Sequence, residues 1–569
     1  MQASAPGSEV PLPVARKRLE LLRATPSTQA DPLPDLNVLR SELVRGMAEL
    51  GRLAEPPYYL AYEVSAIEQL QIAATGGALL QSERQQFRGL DVEVRVGSAE
   101  LDNTHGGASG YRGIHTLPLD QGEPALRNQI WLATDAAYKQ AIEDLLRVRA
   151  EKRVGAAEAD DSADFSAAPV VSHFEAAEAA RVDRPAWERR VRELSALFDG
   201  HPEIHRSYVR FSATARTRLF VDSAGSQLQT PHTHARLAVG AVTIAPDGTE
   251  LAREDWMDAR EDGGLPALPE ARRRVARLID DLRALRDAPV GEPYLGPAIL
   301  DGPAAAVFFH EVFGHRVEGH RQKDESEGQT FAGKVGELIM PTGFDVYDDP
   351  RIHTVNGTAL NGFYAFDDEA VRAKKAALVD DGRFVGFLMS RSPIRGFTSS
   401  NGHGRRQLGF RSVARQANLV VDPRQVTTTA GLKQALLREI RRQNKPFGLR
   451  IGEVTGGYTM TERSDPQAFV VTPIMVFKVF PDGREQLVRG VTLEGTPLSV
   501  LSKLIAAADD FAVFNGFCGA ESGEVPASAV SPSLLVAQLE VTRQPKGNSR
   551  PPLLPPPPLA EPATAGSQR

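Results

Sequence analysis

The chain has 569 residues and a mass of 61.7 kDa, more than one hydrophobic core usually holds, so we expect two domains with appendages. Hydrophobic residues make up 41% and charged residues 24%, as in folded globular proteins. A net charge of -7 provides no basic field for phosphate backbones, so we expect no direct binding of nucleic acid. The sequence shows neither a signal-peptide pattern nor an apolar run of about 18 residues, which predicts a cytoplasmic protein without membrane contact.

The first half of the chain shows both strand and helix patterns. Alternating polar and apolar residues predict strands over residues 59–64, 91–96, 207–211 and 236–244. Helical spacing predicts helices over 124–151 and 269–287. We therefore predict an N-terminal domain of mixed α/β structure, with an antiparallel sheet and helices, over 36–289. An extension over 1–35 precedes it, and an Ala/Asp-rich insertion lies near 155–168.

Strand-like segments dominate the second half, separated by glycine and aspartate turns. They cover residues 297–300, 304–310, 376–389, 417–421, 468–480 and 534–542. We predict a strand-rich C-terminal domain over 290–543 that carries one short, distorted metal-binding helix. A Pro-rich tail over 544–569 is predicted to be disordered. The fold class is thus α+β.

The segment 304–320, AAAVFFHEVFGHRVEGH, contains residue types that zinc catalysis requires. His310 and His315 are five residues apart, whereas the common His-Glu-x-x-His motif places its histidines four apart on one helical face. In a regular helix, five residues separate the side chains by about 140°. Both can therefore bind one metal only if the helix is distorted, and Gly314 is the residue that most easily permits this. Glu311 is placed to act as the base.

The third ligand has two candidates. His320 would complete a set of three histidines if the chain turns sharply at Gly319. Cys518, the single cysteine, lies in a glycine-flanked segment and would supply a thiolate from a distant part of the chain. Spacing alone leaves both open, although a lone cysteine is most often an inert core residue.

Several fragments, in order, resemble the TldD/PmbA family of peptidases, also described as modulators of DNA gyrase. The resemblance spans roughly residues 290–541. It rests on His310-Glu311-x-x-Gly314-His315-x-x-Glu318, Asp367-Asp368-Glu369, Asn401 with Gly404-Arg405-Arg406, Cys518-Gly519, Val525-Pro526 and Pro532.

This resemblance implies that His310, His315 and Cys518 bind Zn²⁺ and that Glu311 is the general base. His320 would then lie outside the ligand set, in its surroundings or at the surface. The family contains an active subunit with the metal motif and a degenerate partner without it, and this chain resembles the active TldD kind. The resemblance further implies a homodimer or a heterodimer with a related subunit.

Two further groups of residues are candidates for supporting the site. Three arginines are predicted to bind a substrate carboxylate or the developing oxyanion: Arg405, Arg406 and Arg415. Four carboxylates are predicted to orient the ligands from behind: Glu318, Asp367, Asp368 and Glu369.

These observations predict a zinc-dependent peptidase that hydrolyses peptides or unfolded segments. A metal-activated water would attack the peptide carbonyl after Glu311 takes its proton. One alternative is a binding or modulating protein that uses the metal structurally, acting on a toxin-antitoxin or topoisomerase system without hydrolysis. Another metal-dependent hydrolase, such as an amidase, would use the same residues.

Overall fold

A computed structural model describes most of the chain. It covers residues 21–23, 30–106, 110–120, 122–154, 160–324, 326–464, 469–545, 547, 549–550, 552 and 554. Part of the predicted Ala/Asp-rich insertion and most of the predicted extension and tail lie outside the described residues. Among the described residues, no helix is long and apolar enough to cross a membrane.

The first half of the chain alternates long strands with helices. The strands are β1 (Leu21–Arg23), β2 (Pro57–Thr75), β3 (Ala78–Val96), β4 (His115–Thr116), β5 (Ser172–Phe174), β6 (Arg206–Asp222), β7 (Gln227–Ile244) and β8 (Glu250–Ala259). The helices are α1 (Pro34–Leu50), α2 (Glu123–Val154), α3 (Arg184–Ser195) and α4 (Leu268–Asp287), with 3₁₀ helices at Ala196–Phe198 and Asp262–Gly264.

All of these strands except β1 form a sheet in the order β4-β3-β2-β6-β7-β5, with β8 paired to β7. All neighbours are antiparallel except β5 and β7. Helices α1 and α2 pack on one region of the sheet through an apolar core, and α3 and α4 pack on another. The predicted strands and both predicted helices of this half are present.

The second half contains many short strands and four helices among its described residues. The strands are β9 (Tyr294–Leu300), β10 (Phe344–Asp348), β11 (Ile352–Val355), β12 (Thr358–Ala359), β13 (Ala376–Asp380), β14 (Arg383–Phe384), β15 (Gly404–Arg405), β16 (Val413–Ala414), β17 (Asn418–Pro423), β18 (Gly448–Thr459), β19 (Phe469–Val479), β20 (Glu485–Val488), β21 (Val491–Gly495), β22 (Leu504–Ala507), β23 (Ala512–Ala520), β24 (Gly523–Ser531) and β25 (Leu534–Arg543). The helices are α5 (Gly302–Val312), α6 (His320–Lys323), α7 (Thr429–Arg442) and α8 (Pro497–Leu501), with a 3₁₀ helix at Gly314–Val317.

Two larger sheets organise this half. One has the order β14-β13-β10-β17-β24-β23, in which β23 is an edge strand. The other runs β18-β9-β25-β21-β19-β20 with β22 on β25, and a further pairing of β18 with β19 closes five of its strands into a ring. The predicted α+β class with a strand-rich second half is confirmed.

Helix α5 lies inside the main apolar core of the second half. A strand was predicted over residues 304–310, and this prediction is wrong. Pro303 in the first turn favours a helix start, and the alanines 304–306 are strong helix formers. Because neighbouring strands cover the helix on all sides, apolar residues occupy every face and conceal the helical period.

Candidate metal centre

Three side chains from two distant parts of the chain meet at one buried point. His310 lies in the last turn of α5, His315 lies in the following 3₁₀ helix, and Cys518 lies on the edge strand β23. The Cys518 Sγ is 3.2 Å from Nε2 of His310 and 3.3 Å from Nε2 of His315. The three donor atoms all lie within 4.8 Å of one another, which is the spacing of a shared metal ion.

The backbone between the two histidines leaves the α-helical path, as the spacing predicted. Helix α5 ends at Val312, Phe313 has φ −115°, and a 3₁₀ helix begins at Gly314. Gly314 does not adopt positive φ. A side chain there is excluded by packing instead, because a Cβ would lie 1.8 Å from Oε1 of Gln416. The Gln416 Nε2 also donates to the His310 carbonyl at 3.3 Å, so it holds the end of the helix.

Glu318 supports the second histidine from behind. It is fully buried, and its Oε2 lies 3.2 Å from Nδ1 of His315 and accepts a hydrogen bond from Nε of Arg321 at 3.0 Å. Burial alone would raise the pKa of Glu318, but His315 and Arg321 lower it to about 2. A carboxylate on Nδ1 fixes the ring orientation and leaves Nε2 directed at Cys518.

The thiol and the imidazoles also influence one another. Burial disfavours the thiolate, yet the neighbouring His315 and His310 hold the pKa of Cys518 well below its usual value. Burial likewise opposes the charged imidazoles, and the Cys518 thiolate nevertheless raises the pKa of both His310 and His315. A cysteine in this setting is a thiolate, which is the form that binds metals.

Glu311 lies beside the three donors without joining them. Its Oε2 is 3.9 Å from Nε2 of His315, and its side chain is buried. The opposite wall of the site is strand β18, where Gly457 approaches closely. A Cβ on Gly457 would lie 2.7 Å from Cγ of Glu311, so glycine there leaves room for the carboxylate.

A cleft of about 600 Å³ opens onto the metal centre. Its walls are the centre itself, the end of β18, strand β23 and the segment that follows α5. Five carboxylates and a single arginine line it: Glu311, Asp324, Glu327, Glu462, Glu521 and Arg321. Aromatic residues border it at Trp256, Tyr458 and Phe517, each at least 40% exposed.

His320, the other candidate third ligand, lies elsewhere. Its Nε2 hydrogen-bonds to Oε1 of Glu521, and Arg321 donates to Oε2 of the same carboxylate at 2.8 Å. Arg321 also binds Glu318, so His320 and Glu521 are connected to His315 through Arg321 and Glu318. The His320 side chain is buried rather than at the surface. The structure therefore gathers Cys518, and not His320, with the other two donors.

The predicted role of the acidic run Asp367-Asp368-Glu369 requires a correction. Asp367 accepts hydrogen bonds from the backbone amides of Glu369, Val371 and Gly404, at 3.0, 2.8 and 2.9 Å. The Asp368 and Glu369 carboxylates accept from the backbone amides of residues 406 and 391. Among the described residues, none of the three hydrogen-bonds to His310 or His315. These carboxylates fix loop backbones and do not orient the ligands.

The three arginines predicted to bind substrate do not line the cleft either. Arg415 is fully buried and donates to the Cys518 carbonyl at 2.6 Å, with its Nε 3.3 Å from Oε1 of Glu318. It therefore positions the ligands, which corrects its predicted role. Arg406 pairs with Glu63 on the N-terminal sheet, at 3.0 Å. Arg405 donates to the backbone carbonyl of residue 416 and faces a different cavity.

Sequence reasoning missed four residues that shape the centre. Gln416 and Gly457 complete its backbone and its wall, and Arg321 and Glu521 complete the charge network. Arg321 gave a local signal, since it follows Glu318 by three residues on a short helical turn. The other three come from distant segments, and no spacing connects them to the motif.

The donor set fits zinc. Two imidazoles and one thiolate are zinc ligands, and three protein donors with an adjoining cleft leave a fourth position for water or substrate. The buried Glu318 beneath His315 is the outer partner that such histidines usually have.

The chain is similar to known metallopeptidases. Residues 294–543 match the sequence profile described as "PmbA/TldA metallopeptidase C-terminal domain". A metalloprotease of Methanothermobacter thermautotrophicus is 26% identical over 367 residues, covering 62% of this chain and 74% of the relative. A metalloprotease of Methanocaldococcus jannaschii is 25% identical over 323 residues, covering 56% and 66%.

A solved structure shares the fold over most of the chain. TldE from Thermococcus kodakarensis superposes with a TM-score of 0.61 at 14% identity, covering 89% of this chain and 100% of that one. The predicted family is confirmed over residues 294–543, which match the PmbA/TldD metallopeptidase domain.

Proposed function

We propose that this chain is a zinc-dependent peptidase that hydrolyses peptides or unfolded segments, with Glu311 as the general base. The observation that carries the proposal is the convergence of His310, His315 and Cys518 beside a separate carboxylate, at the edge of an open cleft. A purely structural zinc site fills all four positions with protein donors. Three protein donors, with the Glu311 carboxylate beside them and outside the donor set, support a catalytic site.

The residues divide the work as follows. His310, His315 and Cys518 would hold the zinc ion, which would supply the Lewis acidity needed to polarise a peptide carbonyl and to make water easier to deprotonate. Glu311 accepts a proton from the attacking water as the water oxygen bonds to the carbonyl carbon. It then gives that proton to the amine nitrogen as the carbon–nitrogen bond breaks.

The surrounding residues keep this arrangement fixed. Glu318 holds Nδ1 of His315, and Arg415 holds the Cys518 carbonyl, so two of the three donors have their own buried support. Gln416 holds the carbonyl of His310. Preorganised donors need little rearrangement when substrate binds.

The cleft supports peptides as the substrate class. Its walls include the end of strand β18 and the edge strand β23, and its volume of about 600 Å³ suits a short extended segment. We further propose that the chain is the active, TldD-like kind of subunit and works as a dimer, either of identical chains or with a related subunit. A cytoplasmic location remains part of the same proposal.

The decisive experiment replaces Glu311 by Gln. Cleavage of a mixed peptide library by zinc-loaded protein, with and without chelator, first establishes the activity. The Glu311→Gln variant is expected to keep its zinc and to lose at least about 100-fold in kcat/KM, the lower range for removing a general base. Metal content is measured by atomic absorption on the same samples.

A matched control replaces another buried carboxylate outside the site. Glu439 lies on α7 and pairs with Arg442, so Glu439→Gln is expected to retain wild-type cleavage. Full activity in Glu311→Gln would remove the proposed role of Glu311. Zinc-loaded wild-type protein that cleaves no peptide would favour a binding role instead.

A further inference from the structure

A second large cavity, of about 860 Å³, lies between the N-terminal sheet and the C-terminal half. We call it the arginine chamber; its walls include residues 230–232 of β7, residues 363–368 after β12, and Arg405 and Arg406. Eight arginines and four carboxylates line it, so its walls carry a surplus of positive charge. None of its lining residues lines the metal cleft.

Most of the eight arginines already have a carboxylate partner. Glu63 alone pairs with three of them, at 2.7 to 3.0 Å, and Asp349 pairs with two more, at 2.7 and 3.3 Å. A sixth faces Glu178 at the longer distance of 3.7 Å. These six arginines are Arg23, Arg216, Arg218, Arg260, Arg351 and Arg406. Arg406 also pairs with Asp91, and Arg218 lies 3.8 Å from Asp368, so these six arginines share five carboxylates.

The remaining two, Arg372 and Arg405, form no ion pair among the described residues. Each guanidinium instead lies over an aromatic ring of the chamber: Cζ of Arg372 is 4.8 Å from the ring centre of Phe366, and Cζ of Arg405 is 4.9 Å from that of Tyr364. The Arg405 side chain donates one hydrogen bond, to the carbonyl of residue 416, and Arg372 donates none among the described residues. Both guanidinium groups therefore keep N–H donors that can bind an anion.

The electrostatics of a neighbouring histidine agree with a positive field. His232 lines the chamber, and burial lowers its pKa, helped by His234 and by the nearby Arg216, Arg260 and Arg405, to about 3. A positive charge on His232 is therefore strongly disfavoured beside these arginines.

We propose that the arginine chamber is a second binding site, for a ligand that carries at least two carboxylate or phosphate groups. Arg372 and Arg405 are its principal anion-binding residues, because planar guanidinium groups match both kinds of oxyanion with paired hydrogen bonds. The volume lies within the range of small-molecule sites, and the rings of Phe366 and Tyr364 supply apolar wall. The site does not depend on the proposed peptidase activity.

Isothermal titration calorimetry on the full-length, zinc-loaded protein tests this site with two probes. Inorganic pyrophosphate represents phosphate ligands, and a tetraglutamate peptide represents carboxylate ligands. At least one probe is expected to bind, and Arg372→Gln is expected to weaken it by at least about tenfold, since a charge-assisted hydrogen bond is lost. Binding of only one probe identifies which chemistry the chamber prefers.

Arg372 is exposed, so its replacement spares the core, and Arg405→Gln provides a second, interior variant. The matched control is Arg424→Gln, an arginine on another surface that pairs with Asp345 and Asp380. It is expected to leave affinity unchanged. Two results overturn the proposal: neither probe binds at millimolar concentration, or a probe binds with equal affinity to wild type, Arg372→Gln and Arg405→Gln, as it would on the metal.

Discussion

The metal cleft and the arginine chamber carry surplus charge of opposite sign. At the metal cleft, the single arginine, Arg321, is bound by Glu318, Glu327 and Glu521 together, at 2.6 to 3.0 Å, so carboxylates outnumber the cation. In the chamber, one carboxylate serves three arginines, and two further arginines have none.

This difference separates two uses of charge. A cation that joins several carboxylates keeps them in place, which suits residues that position metal ligands. A surplus of arginines leaves N–H donors for an anionic ligand and attracts that ligand through the positive electrostatic field. Substitutions in one cavity should therefore leave ligand binding in the other cavity unchanged.

The largest expected effect concerns the third ligand. Cys518→Ser is expected to lose nearly all bound zinc after dialysis against a mild chelator, because a hydroxyl is a far weaker zinc ligand than a thiolate. His320→Ala is the matched variant, and we expect it to keep one zinc per chain. Zinc content is measured by atomic absorption.

The affinity of the Cys518→Ser variant for pyrophosphate tests whether the two cavities are independent. We expect it to equal that of wild type, because the chamber shares no lining residue with the metal cleft. If instead His320→Ala loses the metal and Cys518→Ser retains it, the three-histidine alternative is right and the assignment of Cys518 fails.

A smaller effect is expected for the residue behind His315. Glu318→Gln removes the negative charge that lies beside Nδ1 of His315. Loss of such a hydrogen-bond partner behind a metal ligand typically weakens metal affinity by about 10- to 100-fold. Competition with a chromogenic chelator measures this. Glu439→Gln, a buried carboxylate on α7, controls for loss of a buried charge and should bind zinc as wild type does. Unchanged affinity in Glu318→Gln would show that the buried carboxylate does not tune the site.

The smallest expected effect belongs to the chamber. His232 has a pKa of about 3 in the folded protein and an ordinary value of 6.5, so the unfolded chain takes up a proton first as the pH falls. Stability is then fully present above pH 6.5 and declines between pH 6.5 and 3. From pH 7.5 to 5.5, wild type should lose up to about 1.4 kcal/mol more than His232→Gln.

Urea unfolding of both proteins at the two pH values measures this difference. The loss should shrink in the presence of saturating pyrophosphate, because a bound anion offsets the arginines that disfavour a charged His232. Equal pH dependence of wild type and His232→Gln would contradict the positive field inferred for the chamber. The metal centre does not enter this comparison.

The sequence predicted one of these cavities and not the other, for a physical reason. The residues of the metal centre fall into a short motif and one unique cysteine, and their chemistry restricts what they can do. The strand predicted over 304–310 failed because complete burial removes the periodicity that separates a helix from a strand. The arginine chamber combines side chains from positions 23 to 526, and nothing in the sequence distinguishes its arginines before the fold brings them together.

The roles predicted for Arg406, Arg415 and Asp367 failed for a related reason. A charged residue near a motif in sequence is compatible with several contacts, and only the tertiary structure chooses among them. Arg415 turned inward to the Cys518 carbonyl, and Asp367 turned to backbone amides. Glu318 lies three residues after His315, and this short separation brings its carboxylate to 3.2 Å from Nδ1 of His315.

The position of Cys518 has a consequence for the chain as a polymer. It is 208 residues from His310 in sequence and lies on a different sheet from the strand that leads into α5. A metal ion bound to both therefore acts as a crosslink that closes a very long loop. By the chain-entropy estimate for such crosslinks, closure of a loop of this length reduces the freedom of the unfolded chain by about 5 kcal/mol. A single metal ion at this site would therefore both serve catalysis and link the two sheets.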